Sequence, residues 1–97
     1  MTQQNFIKHV EWLPRFKRDY KKLSPELQQA TKNAIRDLLV DSIPGNRRFE
    51  KLRGYRDPSI YTIHVTSNHS HKISFEINGD IALLRRISSH KEIDRVP

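Results

Sequence analysis

The dipeptide Asn78-Gly79 is the strongest local constraint on what this chain can fold into. A type I′ turn holds both central residues at φ > 0, which asparagine and glycine tolerate, so Asn-Gly between alternating runs marks a β-hairpin. The run before it, Lys72-Ile73-Ser74-Phe75-Glu76-Ile77, puts Ile73, Phe75 and Ile77 on one face of a strand and Lys72, Ser74 and Glu76 on the other. The run after it, Ile81 to Ile87, is a second strand that leads into Ser88-Ser89-His90-Lys91. An apolar hairpin thus delivers Arg85, Arg86, His90 and Lys91 to a strand end, a pattern suited to a phosphate-bearing ligand.

Earlier in the chain the signals change period. Residues 1–5 read as a frayed start, and Phe6 to Leu13 as a short strand. Pro14 suits the first turn of a helix. Phe16, Tyr20 and Leu23 then recur at helical spacing among Arg15, Lys17, Arg18, Lys21 and Lys22, which predicts a strongly basic amphipathic helix. Ser24-Pro25-Glu26-Leu27 is a helix start, with Ser24 as cap and Glu26 in the first turn, and Leu27, Ala30, Ala34, Ile35, Leu38 and Leu39 form its apolar stripe to about Val40. So short a break between the helices requires an antiparallel hairpin. Asn46 to Ser59 reads as a basic loop pinned by Phe49, Leu52 and Tyr55, and Ile60 to Thr66 alternates as another strand. The expected fold is α+β, in the order β-α-α-β-β-β, with the helical hairpin packed on one face of an antiparallel sheet and the other face free.

Length and charge limit what such a domain does. At 97 residues the chain is a single domain spanning 1–97. Its hydrophobic content of 35% leaves a thin core. With no cysteine there is no disulfide framework, zinc ribbon or thiol nucleophile. No apolar run reaches membrane-spanning length and no signal-peptide core is seen, so a cytoplasmic protein without membrane contact is expected. A net charge of +7, clustered at Arg15–Lys22, Arg47–Arg56 and Arg85–Lys91, favours polyanions over a merely solubilising role.

On the free face the alternation gathers Lys72, Ser74 and Glu76 with Thr62, His64 and Thr66. Lys51 and Arg53 flank this face, and one of Arg85 and Arg86 lines it, although alternation does not decide which. Cations so placed would stabilise charge on the non-bridging oxygens of a phosphodiester; the plainer alternative is a solvated sheet face. His90, just past the last strand, is of the one residue type whose ordinary pKa, near 6.5, lets it move a proton at neutral pH. His64, His69 and His71 match no known ligand spacing, so neither a metal nor another cofactor is expected. Ser88-Ser89-His90 lacks the elbow and oxyanion glycine of a hydrolase triad.

Several segments together resemble the RelE/ParE superfamily of toxins from type II toxin–antitoxin systems. They are the first strand, the basic helical hairpin, Leu52-Arg53-Gly54-Tyr55-Arg56-Asp57, Lys72-Ile73-Ser74-Phe75, and Leu84-Arg85-Arg86-Ile87-Ser88-Ser89-His90-Lys91-Glu92. The resemblance runs from about Val10 to Arg95 and implies a microbial RNase-like fold. In the RelE-like branch it implies a ribosome-dependent mRNA endonuclease that needs no metal. There the RNA 2′-OH attacks the adjacent phosphate, leaving a 2′,3′-cyclic phosphate and arresting translation. In the ParE-like branch it implies a non-catalytic inhibitor of DNA gyrase.

Carried onto this chain, the resemblance makes Lys72 a phosphate-binding catalytic residue and His90 the general acid, with Lys91 where a second phosphate-binding arginine is common. Because lysine lacks arginine's bidentate grip, Arg85 or Arg86 is expected to hold the phosphate instead, and Arg86 is counted among the catalytic residues. Lys51, Arg53, Arg85, Lys91 and His64 become RNA contacts. A lysine stands at 72 where the family usually has arginine, Phe75 stands where a tyrosine is frequent, and no tyrosine follows Lys91. The general base is left open among His64, His71, Glu50 and Lys51. The implied partners are an acidic antitoxin, the ribosome with its mRNA and rRNA, and operator DNA reached through the antitoxin.

Overall fold

The computed structural model describes residues 3–4, 7–40 and 42–97; Met1, Thr2, Asn5, Phe6 and Asp41 lie outside it. A five-stranded sheet carries the fold, in the spatial order β2-β7-β6-β5-β4. Its strands are β2 (His9–Trp12), β4 (Glu50–Arg56), β5 (Ser59–His64), β6 (His71–Asn78) and β7 (Ile81–Ser89). A separate two-stranded ribbon pairs β1 (Gln3–Gln4) with β3 (Ser42–Ile43), so part of the expected frayed start is paired. Three helices complete the fold: α1 (Pro14–Lys21), α2 (Pro25–Leu38) and α3 (His90–Arg95).

The local signals act as their chemistry requires. Pro14 and Pro25 open α1 and α2, and Ser24 Oγ accepts from Leu27 N at 3.3 Å. Phe16, Ala34, Ile35 and Leu38 turn inward against Ile63, Ile73, Phe75, Leu84 and Ile87 of the sheet. Trp12 packs edge-on against Phe16 and Tyr20, with ring centroids 4.9 Å apart in each case.

Three details differ from the expectation. First, the sheet is mixed. β2 runs parallel to its spatial neighbour β7, and the remaining pairs are antiparallel; the helical hairpin carries the chain from β2 to β4 at the opposite edge, and the antiparallel run β4-β5-β6-β7 brings it back beside β2. Second, the hairpin turn consists of Gly79 and Asp80 between the paired Asn78 and Ile81, and Gly79 takes φ 64°. Asn78 is not at positive φ, so glycine occupies the first central position, the φ pattern of a type II′ turn rather than I′.

Third, the Asn46–Ser59 segment is not all loop. Glu50–Arg56 is an edge strand, irregular between Lys51 and Arg56, and Phe49 pins its start against Tyr61 and Phe75. Charged, exposed residues blunt such an edge, which is why it shows no apolar alternation. Arg47, also in this segment, is structural. Its Nε donates to Asp37 Oδ2 at 2.8 Å and its NH1 to Val65 O at 2.8 Å, tying α2 to the end of β5.

A β-bulge settles the ambiguity at Arg85-Arg86. Ala82 and Leu84 face the helices, and Phe75 pairs with Leu84 while Ser74 pairs with Arg86. Arg85 is the extra residue, so Ile87 rather than Arg86 returns to the core.

Candidate active site

The face of the sheet turned away from α1 and α2 holds the candidate site. Antiparallel register sets His64 opposite Lys72 and Thr62 opposite Ser74. This face is not open as expected: His64 is 5% exposed, Lys72 3%, and Thr62 and Ser74 0%. Part of the cover comes from α3, which contacts β6 and β7 and whose Ile93 is fully buried. Ser89 caps this short helix, its Oγ accepting from Glu92 N at 3.3 Å.

The helix carries Asp94 over the site, and one carboxylate engages two of the residues expected to act. Lys72 Nζ donates to Asp94 Oδ1 at 2.9 Å, and His90 Nδ1 lies 3.1 Å from Asp94 Oδ2. Lys72 and His90 therefore sit on one side of the molecule and converge on one anionic group.

His64 completes the cluster. Its ring centroid lies 5.7 Å from that of His90 and 4.4 Å from that of His69. The Nδ1 atoms of His64 and His69 face each other at 2.5 Å, so one ring donates and the other accepts. His69 reaches this position from a tight turn in which it takes φ 60°. Thr66 Oγ1 accepts from Ser70 N at 2.9 Å in the same turn, and Ser70 O accepts from His90 N at 2.8 Å. Burial, and then the neighbouring charges of His69, Lys72 and His90, push the His64 imidazole down to about 4, with Glu50 acting in the opposite direction. At neutral pH His64 is an uncharged imidazole, and its Nε2 is buried without a hydrogen-bond partner among the described residues.

The other expected site residues are distributed as follows. Arg86 is buried, donating through Nε to Asp19 Oδ2 at 3.1 Å and through NH1 to Val96 O at 3.1 Å, with Glu92 Oε1 3.4 Å away. Burial opposes its charged form, yet Asp19 and then Glu92 outweigh this and raise its pKa. The same Asp19 carboxylate accepts from Ile87 N at 3.2 Å, covering the part of β7 that β2 leaves unpaired beyond Leu84. Arg86 is thus engaged in holding α1, β7 and α3 together. Arg85 pairs with Glu76.

Lys51 and Arg53 are exposed on β4. Lys51 is in register with Tyr61, whereas Glu50 is in register with Thr62 and so lies on the His64 face. Lys91 is exposed on α3. His71 shares the helix-facing side with Ile73 and lines a cavity of about 460 Å³ with Lys22, Ser88 and Ser89.

Two members of the cluster were not foreseen. Asp94 lies four residues after His90, the spacing that places two side chains on one helix face. The Ser89-to-Glu92 spacing was the available signal that a helix begins there. His69 offered no such signal, since its place depends on a turn bringing it back over His64.

This geometry was compared with known proteins. No protein-family model matches the sequence, and none of the curated proteins matches it. Solved structures do. The RelB–RelE antitoxin–toxin complex from Methanococcus jannaschii matches with a TM-score of 0.66 and 26% identity, over 89% of this chain and 98% of that one. A copper-bound point mutant of a toxin from Helicobacter pylori matches with a TM-score of 0.61 and 14% identity, over 90% of this chain and 99% of that one. The chain has the RelE-like toxin fold, an α+β domain with helices packed on a five-stranded mixed sheet. One of these neighbours comes from an antitoxin–toxin complex and the other is a toxin.

Proposed function

We propose that this protein is the toxin of a type II toxin–antitoxin system and an endoribonuclease that cleaves mRNA on the ribosome. The observation that carries the reading is the convergence of Lys72 and His90 on a single carboxylate, since groups that grip one carboxylate can also reach one phosphodiester. RNA suits the chemistry because it supplies its own nucleophile, the 2′-OH.

In the proposed reaction the 2′-oxygen forms a bond to phosphorus as the bond from phosphorus to the 5′-oxygen breaks. Lys72 neutralises charge on a non-bridging oxygen. His90 protonates the departing 5′-oxygen. His64, the neutral imidazole of the cluster, takes the 2′-OH proton. A base held near 4 is weak, chiefly through burial, and an incoming phosphodiester would oppose the part of the lowering that comes from neighbouring charge. Lys51 and Lys91 are exposed cations suited to flanking RNA or rRNA, and Arg53 shares that exposure on β4.

The RelB–RelE neighbour supports an antitoxin partner, and the +7 charge fits an acidic one. Operator DNA would be reached through that partner. No helix among the described residues is long and apolar enough to cross a membrane.

The test is induction of the wild type and of His90→Ala and Lys72→Ala, with mRNA ends mapped by primer extension. The wild type should stop translation and produce new mRNA ends, and each variant should lose roughly a hundredfold or more in cleavage while keeping its fold. Replication arrest with an SOS response and no new mRNA ends would instead indicate a gyrase inhibitor.

A further inference from the structure

We propose that Asp94 is a built-in competitor for the substrate phosphate, and that its carboxylate leaves Lys72 and His90 when a phosphodiester arrives. The inference rests on the endonuclease reading for the identity of the ligand, but the anion site it describes is a property of the cluster itself.

The argument starts from accessibility. Lys72 has 4% of its side chain exposed, and its ammonium donates to Asp94 Oδ1. While that carboxylate stays in place, no external anion can reach Lys72. Asp94 itself is 42% exposed on the side chain, as is His90, so the carboxylate stands on the solvent side of the lysine. It contacts Lys72 and His90 through its two separate oxygens, much as two non-bridging oxygens of a phosphodiester would. The carboxylate is a stand-in for phosphate that the chain itself provides.

Release does not require α3 to unfold. Ile93 is fully buried, Arg86 donates to Val96 O, and Arg86 also reaches Glu92. These contacts hold the helix through residues other than Asp94. Rotation of the Asp94 side chain into solvent uncovers Lys72 with the backbone in place, and the phosphodiester then occupies the vacated position. A buried ammonium without an anion is costly, so the exchange is driven to leave Lys72 paired again, with the phosphodiester in place of the carboxylate. The consequence is an affinity for phosphodiesters that is lower than the cations alone would give, because every binding event displaces a resident anion.

The experiment measures binding of a 2′-deoxy dinucleotide, an uncleavable phosphodiester, to the full chain by calorimetry at low, fixed ionic strength. Inorganic phosphate serves as a second probe. Asp94→Asn keeps the side-chain shape and removes the competing charge, and it should bind both probes at least tenfold more tightly than the wild type. Asp94→Ser should show a gain of the same sign. Adding Lys72→Met to Asp94→Asn should abolish the gain. Equal or weaker binding by both Asp94 variants would overturn the proposal and make Asp94 a holder of the two groups rather than their competitor. RNA cleavage is scored separately: tighter binding in a protein that cleaves no RNA leaves this inference standing and removes the endonuclease reading. Cleavage without tighter binding does the reverse.

Discussion

The two faces of the central sheet are built on different principles. The helix-facing side is a continuous apolar contact, with Phe16, Leu38, Ile63, Ile73, Phe75 and Leu84 all 0% exposed. The opposite side is as well covered at its centre, yet there the buried residues are Thr62, His64, Lys72 and Ser74. One face gains free energy from burial. The other spends it to bury polar groups, three of which lack a partner among the described residues: Thr62 Oγ1, His64 Nε2 and Ser74 Oγ. Under the proposed function such a face is kept for its chemistry, which would divide stability and function between two sides of one sheet.

Substitutions on the two sides should therefore differ in kind. The largest effect is expected at Phe16, which joins α1 to the sheet and meets the edge of Trp12. Phe16→Ala should lower the unfolding free energy by about 3–5 kcal/mol in urea melts, while phosphodiester binding per folded molecule stays unchanged. A loss of binding that exceeds the loss of folded protein would break the division between the faces.

Arg86 lies where the two sides meet, and it sharpens the comparison. Removing one partner of a buried ion pair leaves the other charge unsatisfied, so Arg86→Met should cost about 3 kcal/mol, through Asp19 above all. The measurement is again a denaturant midpoint. If Arg86→Met left stability intact but abolished RNA cleavage, the arginine would belong to the active side after all.

The same division explains how far the sequence was legible. Period-2 runs around Asn78-Gly79 and period-3.6 runs after Pro14 and Ser24 are signals of apolar burial, and they located the helical hairpin, β5, β6 and β7, with the inward residues of β5 and β6 but not those of β7. Alternation also put Lys72, Thr62 and His64 on one face, because register follows from the same period. It failed wherever position depends on something other than burial period. β4 is a charged edge strand whose residues do not alternate. The Arg85 bulge shifts the phase by one residue, which alternation alone does not reveal. The parallel pairing of β2 depends on the path of the chain, and α3 is too short to show a helical stripe. The covering of the far face, and with it the place of Asp94, follows from α3 and so was out of reach. His69 depends on a backbone turn at positive φ that histidine seldom adopts.

The pH dependence of stability tests the cost of the far face directly. Unfolded, His64 takes up a proton as pH falls through about 6.5; folded, it resists until about 4. Between these values the unfolded state binds the extra proton, so stability falls as pH falls and levels off below about 4. The gap corresponds to a loss of at most on the order of 3 kcal/mol, read as denaturant midpoints across that window. His64→Gln should flatten the slope over the same range. An unchanged slope would mean that other groups carry it and that His64 is not held neutral by its surroundings.

The smallest effect should have the opposite sign. Thr62 and Ser74 face each other in register, both fully buried, and each hydroxyl lacks a partner among the described residues. Thr62→Val keeps the branched shape that suits a strand and removes the hydroxyl. Deleting an unpaired buried polar group is neutral or favourable, so the variant should gain up to about 1 kcal/mol in urea melts. The helix-facing side offers no such gain, because its buried sheet residues are apolar and the buried Thr31 hydroxyl of α2 donates to Leu27 O at 2.7 Å. Stabilisation by Thr62→Val with RNA cleavage retained would show that this hydroxyl is only a cost of a polar face. Stabilisation with cleavage lost would place Thr62 among the groups that meet the substrate. Destabilisation would mean that the hydroxyl is satisfied in solution, and the contrast between the faces would then narrow to His64 and Lys72.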